Sequence, residues 1–223
     1  MMVSNKHTKV LVLVCASLFF IFHSSIFHSV QAQRIHAYVT SGVALSQIEG
    51  DELKGFRKAG FTGGIGALAS ISESNRWGVS TEVLFTQRGA YNRSVNPYRA
   101  DIQLNYIDIP LLFHYQDPYG GMLVGVGMDY GRLVQQPRFL GEYNPLYFIP
   151  DTTDYTFLYD DISVVADARF TVWRGLQFNI RWQYSVVPVK REWTFSEYRQ
   201  GRWYSWTNNC HNHSLLFRLI WQF

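Results

Sequence analysis

Cysteine and histidine stand close together at Cys210, His211 and His213, and these are the residue types that bind a soft metal. A complete site needs three or four converging ligands, and no second cluster supplies the rest, so this segment reads as a polar stretch entering the last strand. Asp151, Asp154, Asp160 and Asp161 offer hard oxygen ligands, but their spacing is not that of a calcium loop, and a solvated acidic loop is expected. Gly60-Phe-Thr-Gly63-Gly-Ile-Gly66 has the glycine density of a dinucleotide loop. No helical pattern follows it, so a phosphate would meet no helix N-terminus, and the glycines are expected to relieve crowding between strands. His213 and Ser214 are a base and a nucleophile by type, yet neighbours in a strand point to opposite faces and cannot form a direct pair. No catalytic residue, cofactor site or metal site is therefore expected.

The segments that carry these residues alternate with a period of two. Leu176, Phe178, Ile180, Trp182 and Tyr184 alternate with Gln177, Asn179, Arg181, Gln183 and Ser185, and Leu215, Phe217, Leu219, Trp221 and Phe223 repeat the pattern to the last residue. Val79 to Arg88, Tyr106 to Tyr115, Met122 to Gly131 and Ser163 to Val172 follow the same rule, with charges on one face only. Two weaker strands, near Arg34 to Ser46 and Gly60 to Ser74, complete eight.

The first residues are of another kind. Lys6 and Lys9 precede an apolar run from Val10 to Phe22 that is short for a bilayer span, and Val30-Gln-Ala32 places small residues where a signal peptidase cuts. A signal peptide over 1–32, cleaved after Ala32, is expected. Leu13-Val14 lacks the small residue that a lipoprotein signal would need before Cys15. The folded domain is then 33–223, and its single cysteine, Cys210, allows no internal disulfide. Removing two lysines from 20 basic residues leaves 18 against 17 acidic ones, a net charge near +1 that is no footprint for nucleic acid.

Later segments have no run of eighteen apolar residues, so transmembrane helices are excluded there, and a spanning chain of this kind must close its strands into a barrel. The connections fit. Ser72 to Arg76, Asp117 to Gly121 and Trp173 to Gly175 are tight turns, and longer polar stretches at about 47–59, 90–100, 136–157 and 188–211 lie between them. Short and long connections alternate strictly. The expected fold is all-β, an eight-stranded antiparallel transmembrane barrel with short periplasmic turns and four longer extracellular loops, integral to a bacterial outer membrane and in contact with its lipid. Pro110 lies inside the fourth strand, where a closed barrel has no free edge, and a bulge is expected there.

Parity of the strands sends Glu82, Asp108, Asp129 and Asp167 inward together with Arg88, Arg169, Arg181 and Arg218. An isolated buried charge costs several kcal/mol, so these groups are expected to pair into a plug without conduction. An eight-stranded barrel is in any case only wide enough for side chains. Trp77, Tyr115, Trp173 and Trp221 are expected to form a periplasmic aromatic girdle, with Trp182, Tyr184 and Tyr130 nearer the outer rim. The fourth long connection interleaves Arg199, Arg202 and other cations with Trp193, Tyr198, Trp203, Tyr204 and Trp206. These are the types enriched at interface hot spots, so this loop is the candidate partner-binding surface. The competing expectation is that its aromatics fold over the barrel mouth or rest in the sugar layer of the membrane.

The run Leu104-Asn-Tyr-Ile-Asp-Ile-Pro-Leu-Leu112, the Trp77 to Gly89 strand with Glu82, Gly125-Val-Gly127 and the terminal phenylalanine together resemble the PorT-like outer-membrane barrels over roughly residues 34 to 223. The resemblance implies that Pro110 is a shared feature and that Phe223 is the signal read by the barrel-assembly machinery. It further implies a non-enzymatic accessory role in protein secretion or surface assembly, with type IX secretion proteins as partners. A lipid-modifying outer-membrane enzyme and a small structural or adhesive barrel of the OmpX type are the alternatives.

Overall fold

The computed structural model describes residues 35–53, 55–93, 98–119, 121–137, 140–143, 149–150 and 156–223. The expected signal peptide, and Asp151 and Asp154 of the acidic stretch, lie outside the described residues. The strands are β1 (Ile35–Glu49), β2 (Lys58–Ser70), β3 (Trp77–Asn92), β4 (Tyr98–Gln116), β5 (Met122–Gln135), β6 (Leu140–Tyr143), β7 (Ile149–Pro150), β8 (Asp160–Trp173), β9 (Leu176–Ser185), β10 (Lys190–Arg199) and β11 (Arg202–Gln222).

Eight of them form the barrel in the order β1-β2-β3-β4-β5-β8-β9-β11, and β11 returns to β1 from Tyr38↔Gln222 to Glu49↔His211. Closure gives every barrel strand a partner on both sides, which a bilayer requires of backbone N–H and C=O groups. Parity follows the chemistry. In β4, Ile109, Leu111 and Phe113 face outward while Tyr106, Asp108, Leu112 and His114 are buried inside. In β5, Val124, Val126, Met128 and Tyr130 face outward. Lipid covers these apolar side chains, so their burial stabilises the inserted protein and not a water-soluble one.

The tight turns are built from local hydrogen bonds. Ser72 accepts from Asn75 N at 2.9 Å through its carbonyl and from Trp77 N at 3.2 Å through its hydroxyl, and Asn75 takes a positive φ of 53°. Gly175, with φ 73°, turns β8 into β9. At the same end Trp77 packs 4.8 Å from Tyr115, and Trp173 and Trp221 are both set beside Leu176. Trp182 and Tyr184 stack at the opposite end of β9.

Pro110 differs from expectation. Pairing between β3 and β4 passes from Thr81↔Leu111 to Leu84↔Asp108 with the register unchanged, so no residue is inserted. The barrel accepts the missing N–H by omitting two rungs, and the irregularity of β4 lies instead at Asn105/Tyr106, against β5. The fourth long connection also differs. Most of it is β-structure, because β10 pairs with the upper part of β11 from Lys190↔Cys210 to Arg199↔Arg202. Gln200 and Gly201, with φ 49° and 80°, make its two-residue turn. Residues Phe195 and Ser196 of β10 also pair with β7, and β6 pairs with the start of β4.

Candidate functional site

The lumen holds the eight charges named from parity, and it sorts them into two tiers. In the tier toward the turns, Glu82 is the hub. Its Oε1 accepts from the Tyr38 hydroxyl at 2.8 Å, Arg169 Nη2 at 3.1 Å and Arg181 Nη2 at 2.9 Å. Its Oε2 accepts from Arg181 Nη1 at 2.9 Å and Arg218 Nη1 at 2.8 Å. Asp167 accepts from Arg169 Nε, Arg181 Nε and Asn179 Nδ2 at 2.9–3.1 Å. Two carboxylates thus face three guanidinium groups, and the Arg181–Glu82 pair is the two-pronged fork that fixes geometry as well as charge. Small residues make the room. A Cβ on Gly66 would stand 2.6 Å from the Tyr38 ring, and one on Gly125 2.4 Å from His114, whose Nε2 lies 2.7 Å from Ser80 Oγ.

Six residues further along β3, the balance reverses. Arg88 donates to Asp108 at 2.6 Å, Asp161 at 3.0 Å and Asp129 at 3.3 Å, and it lies 5.0 Å from the centroid of the Tyr106 ring. Asn212 donates to Asp161 and to Tyr106, and Gln183 donates to Asp129. One cation serves three acids here. Asp161, expected from the sequence in a solvated acidic loop, is 1% exposed. The signal was available in its parity, since 161 has the parity of Asp167 and Arg169 along β8. Tyr38, His114, Asn179, Gln183 and Asn212 are further members that charge alone does not reveal.

Above the Arg88 tier sits an apolar core that fills the extracellular end of the barrel. Ile48, Ile102, Leu133, Phe157, Trp193 and Phe195 are among its members, and Phe157 meets the Trp193 ring edge to face at 6.2 Å. Cys210 is buried in it on the upper part of β11, beyond the last rung shared with β1; burial first, then the nearby Asp51, pushes its thiol up to about 12. A thiol held protonated is a poor metal ligand and nucleophile. His211 and His213 lie on the other face of the strand. His213 Nε2 accepts from Trp182 Nε1 at 2.7 Å, and its Nδ1 lies 3.0 Å from Glu49 Oε1. Ser214 points inward, away from His213. Asp51, in the loop after β1, accepts from Leu53 N at 2.8 Å, and burial nevertheless pushes its carboxyl well above the usual range.

The candidate partner-binding residues divide in two. Trp193 is 1% exposed and belongs to the apolar core, so it is no part of an accessible surface. Trp206 packs against that core and donates from Nε1 to Glu52 at 3.0 Å. The reason is strand parity: Trp193, Phe195 and Trp206 share the face of the hairpin that covers the mouth. Tyr198, Trp203 and Tyr204 remain about half exposed near the tip, beside Arg202. Phe223 ends the chain exposed, its backbone N–H donating to Ala37 O at 2.9 Å.

Among the described residues, two charged tiers and an apolar cap leave no wide aqueous path along the axis. The purified protein in planar bilayers is expected to show no steady current, and a stable open-channel step from the wild type would overturn the closed-plug interpretation.

The family model of the outer membrane protein beta-barrel domain matches residues 13–223. No curated protein matches the chain. Among solved structures, the attachment invasion locus protein Ail of Yersinia pestis is similar at 13% identity, covering 84% of this chain and 98% of that one, with a TM-score of 0.46. Neisserial surface protein A is similar at 12% identity, covering 84% and 97%, also with a TM-score of 0.46.

Proposed function

The chain belongs to the outer membrane protein beta-barrel domain family, and on that footing we propose that it is a non-enzymatic barrel serving protein secretion or surface assembly through its extracellular hairpin. One observation carries this reading: the lumen is filled and capped, while the β10–β11 hairpin extends past the barrel rungs and keeps Tyr198, Trp203 and Tyr204 exposed. A barrel that passes nothing through its middle has its loops to act with. The separation of Ser214 from His213 by the wall of the strand speaks against acyl transfer at the rim. The similarity of residues 104–112 to PorT-like barrels supports an accessory place in type IX secretion, with secretion proteins as partners.

Changing Tyr198, Trp203 and Tyr204 together to serine tests the working surface. These side chains stand clear of the core, so the variant is expected to keep the heat-modifiable gel shift of the folded barrel. The complex recovered by gentle detergent extraction should fall at least tenfold, and the cellular export or surface phenotype should follow it. Survival of both at normal protein level would move the function to the short turns.

A further inference from the structure

At the tip of the hairpin, like charges stand opposite one another. Arg199 and Arg202 are paired residues on either side of the turn, an arrangement that costs free energy unless an anion offsets it. Glu197 does so for Arg199, at 2.6 Å. Arg202 has no ion-pair partner among the described residues. Beside this pair opens a cleft of about 550 Å³ lined by Glu197, Tyr198, Arg199, Gln200 and Tyr204. Its volume is that of a small-molecule site, and its lining among the described residues mixes aromatic rings with charged and amide groups. A sugar ring suits it, since its C–H face stacks on an exposed aromatic while its hydroxyls bond to amide and guanidinium groups.

The other face of the hairpin is consistent with a wet ligand. Thr194 faces Thr207 with their hydroxyls 3.4 Å apart, and Ser196 faces Ser205 at 2.8 Å, leading to the Tyr198–Trp203 ring pair at 5.3 Å. The tip is also remote, along the strand, from the barrel wall. Arg202 precedes His211, the last β11 residue paired with β1, by nine positions, and strands rise about 3.4 Å per residue, so roughly 30 Å of strand lies between them.

We propose, on the reading that this hairpin is the working surface, that its tip binds an acidic saccharide carried outside the protein's own membrane. Tyr204 supplies the stacking surface, Arg202 takes the acid group, and Gln200 bonds to hydroxyls.

The test uses the full-length protein in phosphatidylcholine nanodiscs free of lipopolysaccharide, titrated calorimetrically with tetragalacturonate, a chondroitin sulfate tetrasaccharide, maltotetraose and a hexaglutamate peptide. Saturable binding of at least one acidic sugar is expected, at least tenfold tighter than maltotetraose or hexaglutamate. Arg202→Gln and Tyr204→Ser should each weaken it tenfold or more while the gel shift of the folded barrel is kept. Absence of acidic-sugar binding, equal binding of the peptide, or indifference to both substitutions overturns the proposal. The two readings fail separately: a serine triple variant that loses its cellular role while the wild type binds no sugar spares the hairpin and removes the saccharide. Sugar binding with an unaffected cellular role does the reverse.

Discussion

Replacing Glu82 with leucine is expected to cost the folded barrel about 3–5 kcal/mol, the penalty of leaving buried cations without their partner. Glu82 takes bonds from Tyr38, Arg169, Arg181 and Arg218, and all four of these side chains lie within the lumen. With the carboxylate gone, Asp167 alone faces three guanidinium groups, which are too deeply buried for bulk water to hydrate the excess. Urea unfolding from lipid vesicles gives the measurement. Adding Arg181→Met to the variant removes one orphaned cation and should return part of the lost stability, since the two sites share one network and their effects do not add. A loss below about 1 kcal/mol for the single change would mean that the tier is hydrated and contributes little.

A second large effect is expected at the other end of the barrel. Trp193→Ala removes a buried indole that packs against Phe157 and Phe195, with ring centroids at 6.2 and 5.1 Å. Truncating a buried tryptophan costs about 3–5 kcal/mol. The barrel wall does not depend on that contact, so the cost should appear as undocking of the hairpin from the mouth and not as global unfolding. Limited proteolysis reads the difference. The variant should be cut between Pro188 and His211 while the remaining strands stay protected and heat-modifiable. Equal protease resistance in wild type and variant would show that the loop at Glu52, which binds Trp206 and Asn208, holds the hairpin without the core.

These two sites also mark where sequence reasoning stops. Glu82 and Trp193 are both conspicuous by type, but the partners of Glu82 come from positions 38, 169, 181 and 218, and no local pattern joins them. Trp193 looks like one more exposed loop aromatic until β10 is paired with β11. The parity that hides Trp193, Phe195 and Trp206 and exposes Tyr198 and Trp203 then follows from that pairing.

The eight barrel strands, their inward and outward faces and the tight turns were legible in the residues alone. Each depends on neighbours two to five residues apart, and period-two alternation and turn chemistry are local properties. For that reason Ile109, Leu111 and Phe113 could be assigned to lipid, and Asp108 and Arg181 to the lumen, from parity alone. The tertiary structure decided which charges meet. Across a closed barrel this depends on the register summed over all strand pairs, and that register placed Arg88 among Asp108, Asp129 and Asp161 and left three arginines for Glu82 and Asp167. It also decided the cost of Pro110, two omitted rungs and not a bulge, because neighbours on both sides fix the strand and leave no room for an inserted residue. The hairpin was beyond local inference for a related reason: polar and aromatic residues form a strand there only because the upper end of β11 offers an edge to pair with.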